Sequence, residues 1–115
     1  MKFSLKRIIV FSQDVPALAR WYSSVFGMKV LEMDPSGGWA DLDGGGCRLG
    51  LHEGGSKRTR DCGHKMVFGA RDVTKARKVL AARGAKLGPV KKFGALHLCD
   101  GRDPEGNILQ ISNRL

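Results

Sequence analysis

One unit of sequence occurs twice in this chain. Residues 8–27, IIVFSQDVPALARWYSSVFG, and residues 66–84, MVFGARDVTKARKVLAARG, both run from an apolar stretch through Asp-Val into a helical stretch that stops at Gly. The Asp-Val pairs stand at 14–15 and 72–73, an offset of 58 in a chain of 115 residues. A period of half the chain length means two copies of one supersecondary unit, expected to pack against each other and to leave a cavity between them. Function is then sought at matched positions of the two copies.

Local patterning fills in each copy. Residues 3–11, FSLKRIIVF, have the β-branched and aromatic content of a strand. Asp14 is placed as an N-cap, with Pro16 in the first turn, where its missing N–H costs nothing. Val15, Leu18, Trp21, Tyr22, Val25 and Phe26 recur at helical spacing and predict one buried face, and Gly27 supplies the stop. Three short strands are predicted to follow, Met28–Met33, Trp39–Leu42 and Cys47–His52, separated by the turn signals Asp34–Gly38 and Asp43–Gly46. The second copy repeats the order. Lys65–Ala70 is a strand, Asp72 a cap, Val73, Ala76, Val79 and Leu80 a buried helix face, and Gly84 the stop. Ala85–Val90, Phe93–Cys99 and Asn107–Ser112 are the strands after it, the last introduced by the turn Asp103-Pro104-Glu105-Gly106. The fold class is therefore α+β: two tandem β-α-β-β-β modules, about 1–56 and 61–115, forming a curved eight-stranded sheet around a central cleft. Only a loop separates the modules, so residues 1–115 are expected to be one domain.

Composition limits the function classes. Cys47, Cys62 and Cys99 are odd in number and irregularly spaced, which points to free thiols in a reducing compartment. Nothing resembles a signal peptide, and no apolar run approaches the ~20 residues that span a bilayer, so a cytoplasmic protein without a membrane partner is expected. The net charge of +9 is concentrated in the second half: residues 58–115 carry +8 and residues 1–57 carry +1. That asymmetry raises nucleic acid or an acidic small molecule as a partner. Nucleic acid is disfavoured, because the basic segment Lys57–Arg60 has no aromatic residues interleaved with it and fits a solvated loop. Arg71, Lys75 and Lys78 likewise form a solvated helix stripe.

The pieces from Asp14-Val15 through Trp21-Tyr22 to Gly27, and Asp103-Pro104-Glu105-Gly106-Asn107 before the final strand, resemble the vicinal oxygen chelate superfamily. This family of glyoxalases, extradiol dioxygenases, fosfomycin-resistance enzymes and bleomycin-binding proteins hosts catalysts and plain binders alike, and many members are homodimers. The resemblance covers essentially the whole chain. It implies where a divalent metal would be held: seven residues before each helix-opening Asp, on the fourth strand of the first half, and four residues after the Gly of the Asp-Pro-x-Gly turn. Those positions are Arg7, Lys65, Gly50 and Gln110 here.

Metal ligands need lone pairs, and of these four only Gln110 has one to offer. No family-type metal site and no cofactor are expected. A divalent ion would need an atypical site, for which His52, His64 and His97 are the candidates. Arg7 and Lys65, at matched positions, stand without predicted carboxylate partners. They either grip an anionic guest or lean into water on their apolar stems. By strand parity the cleft lining is Arg7, Ile9, Phe11, Trp39, Arg48, Gly50, His52, Lys65, Val67, Ile108 and Gln110, with Trp39 a stacking wall for a planar ligand. Trp21 is assigned to the core. His97 and Cys99 share a strand face without aiming at each other, and Gly44–Gly46 is a hairpin turn and not a phosphate cradle. The expected function is metal-free binding of an anionic or aromatic small molecule by a homodimer. The alternatives are a glyoxalase-type lyase or isomerase, or a dioxygenase, with an atypical metal site, and, less favoured, nucleic-acid binding.

Overall fold

Each Asp-Val pair starts a helix by the same device. The Asp14 carboxylate accepts the Ala17 N–H at 3.1 Å, and Asp72 accepts the Lys75 N–H at 2.9 Å. Both satisfy backbone donors that a helix start leaves without partners. The computed structural model in which these caps are seen describes residues 1–57 and 63–115, and the chain divides into two compact units, Met1–Lys57 and Arg58–Leu115. Arg58, Thr59 and Arg60 of the expected basic loop, and Cys62, lie outside the described residues.

The first unit contains β1 (Arg7–Ser12), α1 (Val15–Phe26), β2 (Val30–Met33), β3 (Trp39–Asp43) and β4 (Arg48–Glu53). Its sheet has the order β1-β4-β3-β2, with β1 parallel to β4 and the other pairs antiparallel. Gly27, at φ 69°, ends α1 in the left-handed region that glycine enters at no steric cost. Val15, Leu18, Tyr22 and Val25 are buried on the helix face that meets β3 and β4, where Ala40, Leu42, Leu49 and Leu51 form the floor. Each such large side chain contributes about 1.5–3 kcal/mol by leaving water. Strand alternation then turns Arg7, Ile9, Phe11, Trp39, Asp41, Arg48, Gly50 and His52 to the other face of the sheet, away from α1.

The second unit contains β5 (Met66–Gly69), α2 (Val73–Ala82), β6 (Lys86–Leu87), β7 (Lys91–Phe93), β8 (Leu96–Arg102) and β9 (Ile108–Ser112). The sheet order is β5-β9-β8-β6, with β7 also paired to β8. Val73, Leu80, Cys99, Leu109 and Ile111 are the buried core. In the turn before β9, Asp103 accepts the N–H groups of Glu105 and Asn107 and the side-chain amide of Asn107, which fixes the entry angle of that strand.

Several expectations need correction. The α+β class with two modules stands, but the described strands number nine, in sheets of four and five, where eight were expected. The extra strand arises because Gly94, at φ +62°, turns the chain between Phe93 and Leu96 and splits the expected Phe93–Cys99 strand into a β7–β8 hairpin. The first strand starts at Arg7, not at residue 3. Its partner β4 begins at Arg48, whose N–H reaches the Lys6 carbonyl, and earlier residues have no strand partner among the described residues. Trp21 is half-buried and packs edge-on against Tyr22 and Phe26. Val79 is 41% exposed, because α2 buries only the line through Val73 and Leu80.

Candidate functional site

The face of the first sheet away from α1 is built from three cross-strand rows. Phe11, His52 and Trp39 are neighbours on β1, β4 and β3; Ile9, Gly50 and Asp41 form the next row; Arg7, Arg48 and Asp43 form the third. Directly opposed side chains in adjacent strands stand close enough to interact, so the face grades from aromatic at one end to charged at the other. Ile9 and Phe11 are about half exposed, at 50% and 48%. The His52 ring meets Phe11 at 5.7 Å and Trp39 at 6.2 Å, both edge-on.

Gly50 explains how the middle of this face is filled. A β-carbon there would stand 2.6 Å from the outer edge of the Trp39 indole and 3.0 Å from Cδ of Arg7. Only glycine lets the indole and the arginine stem lie across β4. The Arg7 guanidinium carbon is 5.8 Å from the Trp39 ring centroid, within cation–π range.

Asp41 is the residue that sequence reasoning missed. It is 2% exposed and receives Arg7 through two parallel hydrogen bonds, Nε to Oδ1 and Nη2 to Oδ2, each 3.0 Å. Arg48 Nη1 donates to the same Oδ2 at 3.0 Å. The hydrogen bond from Arg7 holds the Asp41 carboxyl below its ordinary range against the opposing cost of burial, and the pair raises Arg7 in turn. Arg7 is therefore not the unpartnered cation expected from sequence.

Lys65 is corrected in the same way. It lies just before β5, with Nζ 3.2 Å from Oδ1 of Asp100 on β8, and Gln110 Nε2 donates to that oxygen at 3.0 Å. Burial pushes the Asp100 carboxyl up, but the bonds from Gln110 and Lys65 outweigh it and leave it lowered. Val67 and Gln110 are register partners in the second sheet, with Asp100 opposite Gln110, and Ile108 stands opposite Arg102. The internal repeat could have revealed both carboxylates: Asp41 and Asp100 are 59 residues apart, close to the offset of 58 between Arg7 and Lys65.

The remaining candidates sort by burial. Cys99 is 0% exposed, and burial pushes its thiol up, so it is no partner for His97. His52 Nδ1 lies 2.8 Å from the Glu53 carbonyl oxygen. A carbonyl only accepts, so Nδ1 carries a hydrogen, and in the tautomer so defined the lone pair is on Nε2.

Residues 4–111 match the family model of the Glyoxalase/Bleomycin resistance protein/Dioxygenase superfamily. The chain belongs to that superfamily. Among solved structures it is similar to TioX from Micromonospora sp. ML1, with a TM-score of 0.80 and 24% identity over 98% of this chain and 100% of that one. An integron cassette protein from the mobile metagenome of V. Cholerae gives 0.72 and 27% over 97% and 96%. Lactoylglutathione lyase from Agrobacterium tumefaciens gives 0.74 and 18% over 95% and 92%. No curated protein sequence matches the chain.

The residues at the positions where the family resemblance implies metal ligands do not fit a divalent ion. Arg7 and Lys65 are cations engaged by Asp41 and Asp100. Gly50 has no side chain, and the Trp39 indole edge occupies the place where one would begin. Gln110 gives its amide nitrogen to Asp100 and offers one neutral oxygen. Such a set lacks the imidazole and carboxylate donors that hold hard or borderline cations. Among the described residues, no three His, Cys, Asp or Glu side chains are grouped so as to hold an ion.

Proposed function

We propose that this superfamily member is a metal-independent binding protein for a planar aromatic small molecule, received on the face of the first sheet away from α1. The observation that supports the reading is Gly50 under Trp39: the indole edge occupies the space a side chain on β4 would need, at a position where the family resemblance implies a ligand. Ile9, Phe11, Trp39 and His52 give that indole an apolar and aromatic surround, and small-molecule sites are lined in this way. The His52 Nε2 lone pair is suited to a hydroxyl or N–H on the ligand. The homodimer expected from the family resemblance is part of the proposal and is read by light scattering.

The test is calorimetric titration of protein purified with chelator present, using 2-naphthol as a neutral planar probe. Saturable binding that is lost in Trp39→Ala, with the melting temperature retained, is the expected result. Equal binding by Trp39→Ala, or no binding of planar compounds, would defeat the proposal.

A further inference from the structure

Lys6, Arg7 and Arg48 border a cleft of about 600 Å³ at the start of β1 and β4, with Leu31, Asp43 and the Gly45–Cys47 turn around it. That volume lies within the ~300–1,000 Å³ usual for small-molecule sites. The cleft adjoins the charged end of the Trp39 face, since Arg7 and Arg48 belong to both.

The donors in this cleft are only partly consumed. Asp41 takes Nε and Nη2 of Arg7 but only Nη1 of Arg48. This leaves Nη1 of Arg7, and Nε and Nη2 of Arg48, without a partner among the described residues. The Arg48 side chain is 54% exposed, and Lys6 is exposed as well. Arg7 and Arg48 are register partners, and their two guanidiniums, like charges, meet at the same oxygen of Asp41. Asp41 holds them there from below. Asp43 stands in the cleft wall, where it accepts the Gly45 N–H, and Glu32 lies opposite Asp41 on β2. The three carboxylates therefore balance the three cations in number. What the cleft offers an anion is a set of directed donors held in place, the arrangement that recognises an oxyanion.

We infer that the cleft is an oxyanion subsite, so that the ligand of the Trp39 face is an aromatic acid whose carboxylate, sulfonate or phosphate lies between Arg7 and Arg48. The inference rests on the aromatic-platform reading and adds the acid. With Arg7 5.8 Å from the Trp39 centroid, a ring stacked on the indole brings its own substituent within reach of that guanidinium.

The experiment compares 2-naphthol, 2-naphthoate and 2-naphthalenesulfonate by calorimetry at neutral pH, in low and in moderate salt. The two acids should bind about five- to tenfold more tightly than 2-naphthol, an advantage between those of exposed and of sheltered charged contacts, and salt should shrink it. In Arg48→Gln and in Lys6→Gln the acid-to-naphthol ratio should fall towards one. Lys6→Gln removes no side-chain hydrogen bond seen in the structure, so its result stands even if Arg48→Gln loosens the sheet. Binding of 2-naphthol with no preference for the acids, or a ratio unchanged in both variants, overturns the subsite and leaves the platform standing. Failure of all three probes overturns both.

Discussion

The two units carry the same charged motif with different centres. In the first, Arg7 on β1 reaches past Gly50 on β4 to Asp41 on β3; in the second, Lys65 before β5 reaches Asp100 on β8 beside Gln110 on β9. Where the first unit has glycine, an indole and an arginine stem fill the space. Where the second has glutamine, the amide itself fills it and hydrogen-bonds the carboxylate. The register position held by Trp39 opposite His52 is held in the second unit by Leu98 opposite Ser112. One plan thus yields an aromatic platform in one half and a polar ladder in the other.

The comparison is broken most forcefully at the carboxylates. Asp41→Ala leaves two neighbouring guanidiniums without their shared acceptor and should cost about 1–3 kcal/mol, the lower end set by solvent around Arg48. Lys65 and Asp100 are 43% and 38% exposed, so Lys65→Met should cost no more than about 0.5–1 kcal/mol. Equal losses in denaturant melts would mean that the two motifs are held alike. At the centres, Gly50→Ala must displace the indole or the Arg7 stem and should cost about 1–2 kcal/mol. Combining it with Trp39→Ala should recover most of that loss in a double-mutant cycle. Additive losses would show that Trp39 does not rest on Gly50.

Acid sharpens the same contrast. Because the folded Asp41 carboxyl lies below its ordinary value near 3.9, its contribution to stability is complete above that value. The contribution is lost as pH falls through the lower, folded value. Asp41→Asn should therefore flatten the acid limb of the stability profile, and an unchanged limb would count against the Arg7 pair. The smallest expected effect concerns His52. 2-Naphthol should bind about threefold more tightly than 2-methoxynaphthalene, the worth of one modest hydrogen bond to Nε2. His52→Phe should remove the difference.

The repeat, the caps at Asp14 and Asp72, the Gly27 stop and most strands were legible in the sequence, because local chemistry decides them. The β7–β8 hairpin was not, since a single glycine inside an apolar run does not announce a turn. Strand parity placed Arg7, Gly50, Trp39 and His52 on one face, but parity names a face and no partner. That Asp41 lies beneath two arginines depends on the side-by-side order β1-β4-β3, which brings residues 34 apart in sequence into contact. Gly50 showed in sequence as a missing ligand. Its role as the seat of Trp39 depends on the pairing of β3 with β4.

The central claim is the proposal that Trp39 on Gly50 does the work of recognition at a position where the family resemblance implies a metal ligand. The direct measurement is the affinity for 2-naphthoate of one protein preparation, first stripped with chelator and then supplied with nickel, zinc, iron or manganese. The account predicts the same dissociation constant in every case, together with loss of binding in Trp39→Ala. Binding that appears only when metal is restored would contradict it.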